Sequence, residues 1–181
     1  MDAGVILEDY LKPLTKVSYD SENEQIPLID SSAKAYDLDA ITKRICRVFR
    51  GGELLSSCDA LVKKNNHYFL IEFKNQEETK IKENDIRKKA YDSFSTLRMV
   101  FNQNAGLDDL CTRTTLLVVY KDEKLPGYTS LKEKMFELAK AKGDEPLNFN
   151  LSDFKGKMYS DIHTICKSKF MSQWYSKIWT D

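Results

Sequence analysis

Cys58-Asp59-Ala60-Leu61-Val62-Lys63-Lys64-Asn65-Asn66-His67-Tyr68-Phe69-Leu70-Ile71-Glu72-Phe73-Lys74-Asn75-Gln76 is the stretch that decides how this chain is read. Two apolar runs flank Asn65-Asn66, a pair that tolerates the positive φ a two-residue hairpin turn requires. With that turn Lys64 pairs with His67, and the register carries Asp59 opposite Glu72. Opposed residues share one face of the sheet with Cβ atoms about 5 Å apart. Lys74, two residues beyond Glu72, lies on the same face. Ala60, Val62, Phe69, Ile71 and Phe73 fall on the other, which reads as a core face. A half-solvated sheet face would tolerate Glu72 without any function, but like charges facing each other across strands repel. Lys74 would relieve part of that repulsion as an ion pair. A divalent cation would relieve more, and without one a carboxylate pKa should rise.

Asp, a gap, then Glu-x-Lys on a hairpin resembles the active-site signature of the PD-(D/E)XK nuclease superfamily. Further pieces resemble short bacterial members of that superfamily: Tyr36 to Lys43, Asp59-Ala60-Leu61, Ile71 to Asn75, the helix from Ile86 to Ser93, and Lys157 to Phe170. The resemblance implies an α/β fold with a restriction-endonuclease-like α-β-β-β-α-β core, its mixed sheet flanked by helices. It implies Asp59 and Glu72 as ligands of Mg²⁺ or Mn²⁺, Lys74 as catalytic base, and Gln76 as an accessory residue. Cys58 stands where the motif names a proline. A hard cation held by Asp59, Glu72 and the Phe73 carbonyl would lower the pKa of a bound water, and Lys74 would orient it for attack on phosphorus. The implied activity is metal-dependent hydrolysis of DNA or RNA. The alternative is a catalytically inactive module of the same fold, an immunity or regulatory protein that binds a protein partner. A homodimer is compatible with either.

At 181 residues the chain is expected to form one domain spanning residues 1–181. A hydrophobic content of 41% and an aromatic content of 11% favour a globular fold over disorder. No apolar run approaches the about 18 residues of a membrane span. The start, Met-Asp-Ala-Gly-Val, has no basic segment followed by an apolar run, so a cytoplasmic protein is expected. Cys46, Cys58, Cys111 and Cys166 are widely separated, with no CxxC, which argues against a zinc site and a disulfide framework. Twenty-eight basic residues balance twenty-eight acidic ones, so no overall positive field draws the molecule to nucleic acid. A local cluster, Lys80, Lys82, Arg87, Lys88, Lys89 and Arg98, follows the hairpin, where a solvated helix face is the ordinary explanation.

Around the hairpin the spacing predicts a short helix over Leu7 to Leu14, ended near Pro13, and a polar loop over Tyr19 to Gln25. Leu38, Ile41, Ile45, Val48 and Phe49 recur at helical intervals, with Asp37 or Asp39 as cap and Gly51-Gly52 as stop. Glu53 to Ser57 is expected as the first strand, ahead of the hairpin. Ile86, Ala90, Phe94, Leu97 and Phe101 mark one face of a long helix, closed by Asn102 to Gly106. Thr114 to Tyr120 reads as a central strand buried on both faces. Leu131 to Ala141 reads as an amphipathic helix, Met158 to Ile165 as an edge strand, and Lys167 to Lys177 as a last helix.

Asp39, and less so Asp37, are candidates for a third metal-binding acid from the helix beneath the sheet, although capping explains either. Glu53 is an alternative. Lys88, Lys89 and Tyr91 are candidates for contact with a nucleic-acid phosphate. His163 reads as a polar surface residue, and Trp174 and Trp179 as anchors for the last helix.

Overall fold

The computed structural model describes residues 7–19, 26–49, 54–101, 107–122 and 147–180. The expected Leu131 to Ala141 helix, the Gly51-Gly52 stop, Glu53 and Asn102 to Gly106 lie outside them, as does all of the expected polar loop but Tyr19. Six strands form one mixed sheet in chain order: β1 (Leu11–Pro13), β2 (Lys34–Asp37), β3 (Ala60–Lys64), β4 (His67–Lys74), β5 (Thr114–Tyr120) and β6 (Asp161–Cys166). Strands β1 to β4 run antiparallel to their neighbours, whereas β4, β5 and β6 run parallel. The hairpin keeps the expected register, with Lys64 opposite His67 and Ala60 opposite Ile71, and Asn65 takes the positive φ at 53°.

The helices are α1 (Leu14–Val17), α2 (Leu38–Phe49), α3 (Glu83–Phe101) and α4 (Leu107–Thr112). A helical run then continues through Lys167–Lys169, a π-helical Phe170–Trp174, and Tyr175–Trp179. Asp37 is the residue that caps α2, its Oδ1 accepting the Ala40 N–H at 2.9 Å. No helix among the described residues is long and apolar enough to cross a membrane.

Helices cover both sides of the sheet. Leu61, Tyr68, Leu70, Leu116, Val118 and Ile162 pack against Leu38 of α2 and against Ile86, Ala90, Phe94 and Leu97 of α3. On the reverse side Ala60, Val62, Ile71, Phe73, Leu117, Val119 and Ile165 meet Leu14, Val17, Phe170 and Ile178. Fully burying one such side chain is worth about 1.5–3 kcal/mol, so the Glu72 face is a core face too. Glu72 itself is 1% exposed, which overturns the half-solvated face.

Two other expectations are corrected. Residues 54–58 form no strand, and three of their N–H groups are taken by side chains: Leu55 donates to Cys46 Sγ, Ser56 to Asp92 Oδ2 and Cys58 to Ser93 Oγ. The strand beside the hairpin is β2, upstream of α2, so the order is strand, helix, hairpin, helix, strand. At the start of the chain the expected helix is confined to one 3-10 turn, Leu7–Tyr10, and Pro13 precedes a second helix rather than ending the first. The residue before a proline favours extended backbone, and Leu11–Pro13 is β1, with α1 beginning at Leu14.

Candidate functional site

Asp59 sits where the 54–58 loop enters β3. Its backbone carbonyl accepts the Leu38 N–H at 3.1 Å, tying it to the start of α2. Its carboxylate crosses to the partner strand, where Oδ2 accepts the Phe73 N–H at 2.6 Å. Glu72 lies one residue before that amide, buried beneath α3. Lys89 of α3 reaches into the acid pair: its Nζ is 2.8 and 3.0 Å from the two Glu72 carboxylate oxygens and 3.6 Å from Asp59 Oδ1. Lys74 Nζ meets Glu72 Oε1 at 3.1 Å. Glu72 is thus the floor of the site, with Asp59, Lys74 and Lys89 each about one-fifth exposed (20%, 23% and 23%) at its rim.

Burial, reinforced by Glu72, pushes the Asp59 carboxyl well above the usual carboxylate range, against the pull of Lys89 and of the Phe73 N–H. Asp39 adds to the upward push. Burial opposes the Lys89 charge, but Glu72 and Asp59 outweigh it and hold the ammonium above its ordinary range. Cys58, next to Asp59, is fully buried, and burial together with Glu72 raises its thiol far out of the thiolate range. Burial of this kind favours the neutral thiol over the thiolate. The Cys58 N–H donates to Ser93 Oγ at 2.7 Å, a bond that a proline at this position would lack.

The remaining candidates divide. Asp39 Oδ1 accepts the Ser57 hydroxyl and so anchors the loop. Asp37, besides capping α2, pairs with Lys12 at 2.6 Å. Among the described residues no three His, Cys, Asp or Glu side chains gather as they would around a metal ion. Gln76 follows β4, half-buried, and its backbone carbonyl accepts the Lys121 N–H at 3.0 Å. Lys88 bonds Ser56 Oγ at 2.8 Å and lies 3.7 Å from Asp92, latching the loop to α3. Lys89 is committed to the acid pair, and Tyr91 stands exposed. His163 Nε2 pairs with Asp161 Oδ2 at 2.8 Å, and its ring lies 4.4 Å from that of Trp174. Trp179 donates its indole N–H to the Lys34 carbonyl at 2.8 Å and packs beside Phe170, anchoring the last helix.

Sequence reasoning missed the inward aim of Lys89 and the loop anchors Asp92 and Ser93. The signal was present for Lys89. It stands three residues after Ile86 and four before Ser93, a charge on the flank of a buried helical stripe.

Chemically, the Asp59 and Glu72 carboxylates are hard oxygen donors of the kind that Mg²⁺ or Mn²⁺ takes. The Lys89 ammonium, within 3.6 Å of both acids, marks one seat for a single cation between them. The residues present therefore fit such an ion. Comparison with protein-family models, with curated proteins and with solved structures returned no match to this chain.

Proposed function

We propose that this protein is a metal-dependent phosphodiesterase that hydrolyses nucleic acid, on a restriction-endonuclease-like variant of the α/β fold. The observation that carries the reading is the convergence of two carboxylates and a lysine at one end of the β3–β4 hairpin, with Lys74 Nζ 3.1 Å from Glu72 Oε1. Asp59, Glu72 and the Phe73 carbonyl would hold Mg²⁺ or Mn²⁺. When bound, the ion supplies charge neutralisation at the phosphate and a water acidified towards hydroxide. The chain does the rest. Glu72 fixes Lys74 at the rim, where its ammonium orients the attacking water and faces the phosphodiester. The Phe73 N–H holds the Asp59 carboxylate in a single orientation. The buried floor keeps bulk water from the inner side of the site, which strengthens each of these electrostatic interactions.

One observation favours a second reading, a non-catalytic interaction module of the same fold. Lys89 already satisfies both Glu72 oxygens, so the acid pair is neutralised from within. Titration of Mn²⁺ by calorimetry, with plasmid and single-strand cleavage on the same samples, separates the two. Wild type should bind and cleave, whereas Glu72→Gln should lose at least about a hundredfold in cleavage. Wild type that neither binds Mn²⁺ nor cleaves would shift the reading to the interaction module.

A further inference from the structure

Resting on the reading of Asp59 and Glu72 as ligands, the contacts of the two site lysines point to a division of labour. Lys74 touches one oxygen of Glu72, at 3.1 Å, and belongs to the same strand. Lys89 comes from another element and spans the pair, at 2.8 and 3.0 Å from the Glu72 oxygens and 3.6 Å from Asp59 Oδ1. A divalent ion bonded to those oxygens at about 2.1 Å would occupy the volume that the Lys89 ammonium fills. Two positive centres cannot share it. The side chain is 23% exposed and ends a flexible four-carbon stem, so it has a way out towards solvent. No movement of Glu72, 1% exposed on a central strand, is needed.

We infer that Lys89 is a tethered stand-in for the metal: it holds Asp59 and Glu72 together in the metal-free protein and leaves them when the divalent ion enters. Metal binding is then an exchange of cations rather than the filling of a vacant cage. Lys89 is in this sense a positioning residue that sets the affinity of the seat. It keeps a buried acid pair compatible with a folded chain when no metal is bound, and it weakens metal binding by the interactions that must be given up. A residue that merely supported the site would have the opposite effect on removal, because a loosened site binds metal less well.

The test is calorimetric titration of Mn²⁺ into wild type, Lys89→Met and Lys89→Arg, with circular dichroism to verify folding. Lys89→Met should bind Mn²⁺ about ten- to a hundredfold more tightly than wild type, the loss of competing charged hydrogen bonds. It should melt lower than wild type without metal and gain more in Tm from Mn²⁺. Lys89→Arg, which retains the charge, should bind no more tightly than wild type. Folded Lys89→Met that binds Mn²⁺ no better than wild type overturns the inference while leaving the nuclease reading in place. Tight binding by Lys89→Met beside no binding by wild type would make Lys89 a permanent occupant that never gives way, and overturns both the exchange and the nuclease reading. No binding by either overturns both. Should Lys89→Met not fold, the Lys89 ammonium signal of wild type in ¹H–¹⁵N spectra decides. It should shift at the Mg²⁺ concentrations that load the site, and an unmoved signal overturns the inference.

Discussion

On one face of the sheet Ala60, Val62, Ile71, Phe73 and Val119 meet Phe170, Trp174 and Ile178, an interface of hydrocarbon and aromatic rings. On the other, Leu61, Leu70 and Val118 meet Ile86, Phe94 and Leu97 in the same manner, but a polar seam crosses the interface. Glu72, Ser57, Asp92, Ser93, Thr42 and Thr96 are all buried along α2 and α3. Both faces are well packed, so burying apolar surface does not require the seam. Its members instead fix positions. Thr42 and Thr96 join α2 to α3, Ser93 and Asp92 hold the loop, and the loop delivers Asp59 to Glu72. A core that binds only by hydrophobic contact tolerates small slippage, whereas directional bonds to buried partners specify one arrangement.

This contrast can be broken from either side. The largest effect on stability is expected from the apolar face. Phe170→Ala should cost about 3–5 kcal/mol in denaturant unfolding and leave the Mn²⁺ affinity of the folded protein unchanged. A change in that affinity would mean that the two faces are coupled. A smaller cost is expected in the seam. Ser93→Ala strands the buried Cys58 N–H and should cost about 1–3 kcal/mol, but it should also weaken Mn²⁺ binding, because the loop that carries Asp59 loses an anchor. Lost stability with intact binding would show that the loop is held well enough by Asp92 and Asp39. The smallest effect concerns His67, at the rim of the apolar face beside Phe69, where burial lowers its pKa below the ordinary 6.5. The unfolded chain then binds the proton more readily. The stability tied to His67 is complete above pH about 6.5 and declines as pH falls from there through the folded pKa. Wild type should lose more Tm than His67→Gln between pH 7.5 and pH 5.5, and equal losses would assign the decline elsewhere.

The hairpin was legible because everything that defines it is local: a period of two, a turn pair, and acids whose register follows from the turn. The long helix and the central strand β5 were legible for the same reason, through stripe and run. What the sequence hid depends on distant partners. Leu54-Leu55-Ser56-Ser57 has the composition of a strand, but the amides of Leu55, Ser56 and Cys58 go to the side chains of Cys46, Asp92 and Ser93. Strand β2 is short, and its partner β3 lies beyond a helix. The closeness of Asp59, Glu72 and Lys74 was legible because the three share the hairpin, whereas the contact of Lys89 with the acids was not, because its partners lie on another element. Charged residues on helices are usually solvated, so a lysine that turns inward reads like any other until the packing of its stripe is known.

The parallel pairing of β4 with β5 bears on the order in which the site comes together. An antiparallel hairpin closes on the microsecond scale, whereas a parallel partner waits for a crossover connection, here the one containing α3. Asp59 and Glu72 are brought together by the hairpin, whereas Lys89 reaches them only where α3 packs on the sheet. The neutralising step and the burial step are the same event, the docking of α3, so the cost of dehydrating the acids arises only as their cation arrives.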